Sequence, residues 1–304
     1  MQAQNGDPVF LEKFKAILRD PPPGMAFEIS HGGIAAARIA ARTEIEFQPL
    51  KAGAIAVSPF QENVLDPAGF LEAVRALTAA QGARKRKDVA LILPDYCARL
   101  AVLDFDSFPA DPKEQAALVR FRLKRSVPFD VETAALSYFA QPGAQKHVDV
   151  VVATTPLEIL SPYEAPFRAV GLNPGLVTVS SLAALDLAPD SGLNVMAKLS
   201  GNVLSLLVRE KAKLKLARCL ELASPELDDV AAVLLPTFVY VEDNLGGRAE
   251  RLILCGFGER TDEAQRRFQE EMGVEVEPVR SPLGAPAESN AGLLGYLRSI
   301  ARNN

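Results

Sequence analysis

The sequence contains few of the residues on which metal sites, disulfides and histidine-based catalysis depend. It has three cysteines, and their odd number and wide spacing predict neither a disulfide framework nor a zinc site. It has two histidines, His31 and His147, which leaves metal-dependent and histidine-dependent chemistry with few candidates. A reducing compartment is therefore the simplest setting for this chain.

Long apolar runs and an excess of positive charge are also absent. No stretch approaches the roughly 18 apolar residues that span a bilayer, and the first 25 residues lack the apolar core of a signal peptide. We therefore expect no transmembrane insertion and a cytoplasmic location. A net charge of -5 argues against nucleic-acid binding, and the basic sets at residues 84–87 and 209–218 lack the interleaved aromatic residues that single-stranded nucleic acids stack on.

The chain is long enough, at 304 residues with 48% hydrophobic residues, to form two compact lobes. Residues 1–24 are predicted to form an N-terminal amphipathic helix and a proline-rich linker, because Phe10, Phe14 and Ile17 recur at helical spacing and three prolines follow. The mixed charge of that helix favours docking on protein over lipid. The basic run at residues 84–87 is typical of a solvated loop, with anionic lipid headgroups as the alternative contact.

Two stretches share one plan of strand, tight polar turn and strand. They cover residues 26–40 and 194–209, and each opens one half of the chain. This repetition predicts a duplicated α/β fold that could hold a nucleotide between its halves. The first lobe is predicted over residues 25–190, with a small inserted α+β subdomain at about 97–178. The second lobe is predicted over residues 191–304.

Local signals place several helices within these lobes. Asp66 and Asp111 each precede a proline, which is the pattern of a helix cap followed by its first residue. Pro236 is expected to kink or divide a helix predicted over residues 226–243. A short strand is predicted at residues 54–57.

Two short runs resemble motifs of other enzyme classes. The turn Gly256-Phe257-Gly258 follows a strand and precedes a helix, as in a dinucleotide-binding fingerprint, but the third glycine is replaced by Thr261 and the unit lies at the end of the chain. An ordinary strand-to-helix turn is the preferred interpretation. His31 begins a His-Gly-Gly run that is typical of esterase oxyanion loops, yet the chain has no Gly-x-Ser-x-Gly elbow, which argues against a hydrolase.

The order of these segments resembles that of PilM-like proteins, which are actin-like, cell-division-protein-A-like members of the type IV pilus inner-membrane assembly platform. The resemblance covers about residues 26–301. It rests on the first hairpin at 27–30, a Pro-Phe pair at 128–129, a strand ending in glycines at 254–258 and a Gly-Leu helix at 291–294. Their order and spacing carry the resemblance, since no single motif is very specific.

The resemblance implies a two-lobed actin-like (ribonuclease-H-like) fold with a nucleotide cleft. The cleft positions would be Glu28, Ser30, Lys198, Ser200, Gly201, Gly256 and Gly258.

Several cleft positions depart from what ATP chemistry requires. Actin-like ATPases need a short acid at the end of each first strand to hold hydrated magnesium. Here Glu28 is one methylene longer, and Lys198 reverses the charge of the second acid. Phe257 stands where a glycine would leave space for adenosine, and residues 222–250 are short for the usual helical insertion. We therefore expect a vestigial cleft without a cofactor, ATP and magnesium being possible only if the cleft still functions.

The resemblance also implies a partner. The family binds the cytoplasmic N-terminal tail of a PilN-like membrane protein in a groove between the first lobe and its subdomain, and an extended peptide there gains main-chain hydrogen bonds. Phe105, Phe121 and Phe129 are the candidate apolar anchors, with the subdomain core as their alternative place.

The expected function is therefore a non-catalytic scaffold, peripheral to the inner membrane through a partner and touching other pilus platform proteins. Two alternatives stay open. One is an active ATPase with a magnesium site rebuilt around Glu28, and the other is the cytoplasmic scaffold of a type II secretion system.

Overall fold

The computed structural model describes residues 22–39, 43–79, 87–142 and 147–303. The predicted N-terminal helix and positions 84–86 of the basic run lie outside these residues. The strands are β1 (Met25–Ser30), β2 (Gly33–Arg38), β3 (Glu44–Pro49), β4 (Lys87–Leu93), β5 (Arg99–Phe105), β6 (Ala134–Pro142), β7 (Val148–Pro156), β8 (Leu172–Val179), β9 (Leu193–Ser200), β10 (Val203–Glu210), β11 (Lys213–Glu221), β12 (Arg251–Cys255) and β13 (Glu275–Pro278). The helices are α1 (Pro67–Thr78), α2 (Pro112–Leu123), α3 (Leu157–Ala169), α4 (Ser180–Ala184), α5 (Leu227–Leu245), α6 (Thr261–Met272) and α7 (Ala291–Asn303).

The predicted duplication is confirmed by the sheets. The first sheet has the order β3-β2-β1-β4-β8, and the second has the order β11-β10-β9-β12-β13. In each sheet three antiparallel strands formed by consecutive hairpins are followed by two strands that run parallel to the first strand of the hairpin. The same connectivity in both halves gives two lobes whose parallel strands end at their common boundary.

The inserted subdomain is smaller than predicted. Its three-stranded sheet has the order β5-β7-β6, and α2 packs Val119 and Leu123 onto one face of it. The limit of about 97–178 extends too far, because β8 pairs in parallel with β4 of the first-lobe sheet. Helix α3 belongs to the same lobe, since Phe167 lies against Phe27 with ring centroids 4.9 Å apart. The extra helix and strand therefore complete the first lobe.

The predicted caps of two helices are confirmed. Asp66 accepts a hydrogen bond from the backbone N–H of Gly69, and Asp111 accepts one from Lys113, each at 2.9 Å. Helix α5 runs continuously past Pro236 and is not divided there. The strand predicted at 54–57 forms only an isolated bridge to a neighbouring segment, because that loop folds back on itself.

Helices α4 and α7 lie between the lobes. From α7, Leu293 and Leu297 pack against the first-lobe sheet, whereas Leu294 packs with Ile253 of the second lobe. Helix α7 approaches α4 closely at Gly295, where a Cβ atom would meet the carbonyl oxygen of Ala183. The last helix of the chain therefore joins the two halves.

Candidate functional site

The candidate site lies where parallel strands of both lobes end. Strand β1 carries Glu28, and Asp95 lies two residues after the end of β4. Across the lobe boundary, β9 carries Lys198, and the turn between β9 and β10 contains Gly201. The carboxyl ends of parallel strands are where α/β folds usually place ligands. Of the predicted cleft residues, Lys198 lies close enough to Glu28 for its charge to act on it, and Gly256 lies against the backbone of Leu199.

Glu28 uses its carboxylate to hold the two interlobe helices. Its side chain is buried, and it accepts a short hydrogen bond from the hydroxyl of Ser180 at the start of α4. It also accepts a hydrogen bond from the backbone N–H of Leu293, in the first turn of α7, at 2.7 Å. Burial raises the pKa of Glu28, although the positive charge of Lys198 and these hydrogen bonds oppose the shift. Both carboxylate oxygens are therefore engaged within the protein.

Lys198 forms a buried ion pair across the lobe boundary. Its Nζ lies 3.0 Å from Oδ2 of Asp95, and both side chains are only 2% exposed. Oδ1 of Asp95 accepts a hydrogen bond from the backbone N–H of Ser181 at 2.6 Å. Burial lowers the pKa of Lys198, but the negative charges of Asp95 and Glu28 and the hydrogen bond to Asp95 act together in the opposite direction and hold this pKa above its usual value. The ion pair therefore connects the two lobes.

The sequence did not identify Asp95 as a site residue. The signal was present, since Asp95 immediately follows a buried strand and Pro94. The residue could have been found by asking which acid follows each parallel strand. The pairing of Asp95 with Lys198 could not have been found in this way, because Lys198 lies 103 positions further along the chain.

Glu288 is a second site residue that the sequence did not identify. Its Oε2 accepts a hydrogen bond from the backbone N–H of Gly201 at 3.0 Å, and its Oε1 lies 3.4 Å from Nε2 of His31. One carboxylate thus bridges the hairpin turns of both lobes. Backbone N–H groups in such turns are well placed to bind phosphate oxygens in nucleotide-binding proteins. Here the N–H of Gly201 binds a carboxylate of the same chain.

The glycine-containing turn after β12 is shaped by close backbone packing. Gly256 has a φ of +79°, and a Cβ atom there would meet the carbonyl oxygen of Leu199. Phe257 was expected to fill the space of an adenosine, but its ring lies in the second-lobe core instead. Its ring is 4% exposed and packs edge-on against Phe268 in the second-lobe core, with centroids 6.2 Å apart. Gly258 also has a positive φ of +56° and begins a single 3₁₀ turn.

The two serines predicted in the cleft have different surroundings. The hydroxyl of Ser30 donates a hydrogen bond to the carbonyl of Gly33 at 3.0 Å, which stabilises the first hairpin turn. Ser200 lines an open cleft of about 550 Å³ between the lobes. Phe60 and Tyr96 also line this cleft, and the guanidinium of Arg99 lies 5.7 Å and 5.8 Å from the centres of their rings.

The three predicted peptide anchors lie in different environments. Phe105 is 5% exposed and belongs to the subdomain core, which was its alternative place. Phe121 is 70% exposed on the outer surface of α2, and Phe129 is half-buried in the loop after it. A cavity of about 290 Å³ is bounded instead by Phe60 of the first lobe and by Ile159, just after the last subdomain strand.

The subdomain also contacts the second lobe. The side-chain amide of Gln141 donates to the carbonyl of Leu214 at 2.8 Å, and its oxygen accepts from the N–H of the same residue at 2.9 Å. Lys215 forms an ion pair with Asp149 at 2.8 Å. The insertion therefore contacts both lobes.

Metal-binding clusters and membrane-spanning helices are both absent from the described part of the chain. No group of three or more His, Cys, Asp or Glu side chains there could hold a metal ion. No helix within the same residues is long and apolar enough to cross a membrane.

Comparisons with known proteins give a match in structure but not in sequence. No family model matches the chain, and no curated protein does. A solved PilM–PilN type IV pilus biogenesis complex contains a chain with a TM-score of 0.72 and 18% identity, covering 93% of this chain and 99% of that one. A Bacteroides thetaiotaomicron protein with an actin-like ATPase fold has a TM-score of 0.57 and 11% identity, covering 90% and 94%. The cytoplasmic domain of EpsL, from the type II secretion system of Vibrio cholerae, has a TM-score of 0.51 and 14% identity, covering 92% and 94%. The fold is therefore the predicted actin-like ATPase fold.

Proposed function

We propose that this chain is a non-catalytic, actin-like scaffold on the cytoplasmic side of a type IV pilus inner-membrane assembly platform. The overall likeness to the chain from the PilM–PilN complex supports this assignment, and the likeness to the EpsL domain supports a scaffold of this general kind. We infer that the protein is non-catalytic chiefly from the buried ion pair between Lys198 and Asp95.

Three features together oppose nucleotide chemistry. Lys198 presents an ammonium group where a magnesium-dependent ATPase needs a carboxylate, and an ammonium repels the metal. Both carboxylate oxygens of Glu28 accept hydrogen bonds from α4 and α7. If Glu28 bound magnesium, the N–H of Leu293 in the first turn of α7 would lose its acceptor. Glu288 occupies the N–H of Gly201, which a phosphate would need. Removing one partner of a buried ion pair costs about 3–5 kcal/mol, so the site resists rearrangement around a ligand.

The first prediction concerns ATP. We expect no saturable binding of a fluorescent ATP analogue at micromolar concentrations, with or without magnesium, measured by fluorescence anisotropy. The Glu288→Ala variant frees the N–H of Gly201 but keeps Lys198, and we expect it to remain free of magnesium-dependent binding. Magnesium-dependent micromolar binding that is lost in Glu28→Ala would instead support the alternative of an active ATPase.

We further propose that the partner is the N-terminal cytoplasmic tail of a PilN-like membrane protein. An extended tail buries alternate side chains and pairs its main chain with the protein. The cavity bounded by Phe60 and Ile159 lies in the first lobe, where α3 begins just after the last subdomain strand, and Phe60 is 52% exposed beside it. We place one apolar tail residue in this cavity and keep Phe129 as a second anchor. Through this partner the protein would associate with the inner membrane and with other platform proteins.

The second prediction tests that placement. Phe60→Ala and Phe129→Ala should each weaken binding of the tail peptide by about tenfold, since central aromatic contacts carry much of an interface's affinity. Phe47→Ala is the matched control, because Phe47 is 50% exposed on β3 and away from this cavity. The measurement is anisotropy of labelled tails from candidate pilus and type II secretion membrane proteins. If no PilN-like tail binds, the pilus proposal fails, and selective binding of an EpsL-system tail would favour the type II alternative.

A further inference from the structure

The end of helix α2 carries a dense group of positive charges around one exposed aromatic ring. Residues 120–125 read Arg-Phe-Arg-Leu-Lys-Arg. Leu123 points into the subdomain core, as Val119 does one turn earlier. The outward-facing members, which we call the cationic patch, are Arg120, Phe121, Arg122, Lys124 and Arg125.

Phe121 takes no part in the core beside it. Its side chain is 70% exposed, the highest fraction for a large hydrophobic residue in the part of the chain that the structure describes. Val119 and Leu123 already supply the buried face of this turn, so folding of the subdomain does not need an aromatic ring at position 121. Neither of the two cavities described above is lined by a residue of α2.

The positive charges of the patch are only partly neutralised. Lys124 and Arg125 have no ion pair with any residue that the structure describes. Arg122 makes a loose contact of 3.6 Å with Asp104, whose side chain is 85% exposed, and lies 5.2 Å from the ring centre of Phe105. Arg120 donates to the carbonyl of Ala134 at 3.4 Å.

The charge of the patch is opposite to that of the whole chain. Asp104 is the acid in contact with it, and Asp130 and Glu132 follow in the next loop. Four cations within six residues nevertheless make it a local positive surface on a protein of net charge -5. Such a surface attracts negatively charged partners while the rest of the protein repels them.

We propose that the cationic patch binds the surface of a bilayer that contains anionic phospholipids, with Phe121 entering the headgroup region. Basic residues next to an anionic leaflet each contribute about 1 kcal/mol of attraction, and an aromatic ring is favoured at the headgroup level. An acidic protein segment would need a groove to bury Phe121, and neither of the cavities described above is lined by α2. A single projecting aromatic ring can insert into the headgroup region of a bilayer without a groove in the protein. This contact goes beyond the proposed tethering through a partner tail, and the two together would hold the protein more firmly than either alone.

The test uses the full chain and vesicles of phosphatidylcholine with about one third phosphatidylglycerol, compared with phosphatidylcholine alone. Wild-type protein should co-sediment with the anionic vesicles only, and added salt should weaken binding because exposed charges are screened. The variant Arg122→Glu/Lys124→Glu/Arg125→Glu should bind the anionic vesicles at least about 100-fold more weakly, given about fivefold per basic residue. Phe121→Ala should bind about fivefold more weakly, because less apolar surface is buried.

The matched control carries the same change of net charge elsewhere. Lys51→Glu/Arg266→Glu/Arg280→Glu alters three exposed cations outside the patch and should keep most of the vesicle binding. Circular dichroism and tail-peptide affinity should be unchanged in every variant, so that a failure of lipid binding is distinguishable from misfolding and from a failure of the proposed scaffold function. Equal losses in the patch variant and the dispersed control, or binding without preference for phosphatidylglycerol, would overturn the proposal.

Discussion

Replacing Lys198 by methionine is expected to lower the free energy of unfolding by about 3–5 kcal/mol. The substitution keeps most of the side-chain volume but leaves the carboxylate of Asp95 buried without its cation, 2% exposed at the lobe boundary. It also removes the positive charge that favours the ionised form of Glu28. Urea unfolding followed by far-UV circular dichroism measures the change, extrapolated to zero denaturant.

The double variant Asp95→Asn/Lys198→Met separates charge from packing. Asparagine keeps an oxygen that can accept the N–H of Ser181, and the unpaired charge at position 95 is gone, so most of the lost stability should return, although Glu28 still lacks the nearby cation. A double variant as unstable as Lys198→Met would show that the lysine does not stabilise the protein through its ion pair with Asp95. The ion pair would then no longer oppose a magnesium site at this position.

The Gly295→Val variant is expected to lose about 3 kcal/mol of stability or more, or to fail to fold, because the overpacking is against backbone atoms. A Cβ atom at this position would meet the carbonyl oxygen of Ala183, and it would lie 2.7 Å from the carbonyl carbon of Ala183 and 2.8 Å from Cα of Ala184. These are backbone atoms of α4, which cannot rotate away as a side chain can. Helix α7 would have to move outward, and Glu28 would lose its hydrogen bond from Leu293.

Ala301→Val on the same helix is the matched control. Ala301 is exposed near the end of α7, so the larger side chain costs only its lower helix propensity, a few tenths of a kcal/mol. Thermal unfolding by differential scanning calorimetry compares the two variants with wild type. Similar stability of Gly295→Val and Ala301→Val would mean that α7 tolerates displacement from α4, contrary to the close approach described above.

The contacts between the lobes connect these stability predictions with the proposed scaffold function. In a nucleotide-driven machine the lobes move as ligand and metal come and go. In this chain the same boundary is spanned by an ion pair, by a carboxylate on both hairpin turns and by the subdomain seated on β11. These contacts would have to break before the lobes of the proposed scaffold could move apart.

Much of the fold was predictable because its signals are local. The two hairpins are encoded by strand periodicity around short polar turns, and their repetition indicates the duplication. Asp66 and Asp111 mark helix starts through hydrogen bonds that span only two or three residues. The limit of the insertion was not predictable in the same way, because a strand pattern does not state its pairing partner. Strand β8 pairs with β4 although 78 residues lie between Leu93 and Leu172.

The sequence by itself determined the actin-like arrangement and the lysine at position 198, where the family resemblance implies an acid, because both are visible in the order and type of residues. Only the tertiary structure decided what replaced that acid. Asp95 and Lys198 are 103 positions apart, and Gly201 and Glu288 are 87 apart, so no local pattern joins them. The same holds for Phe105 and Phe121, of which packing buries one and exposes the other. Charges and rings acquire their roles from neighbours that only the folded chain brings together, because electrostatic attraction and burial depend on distance in space.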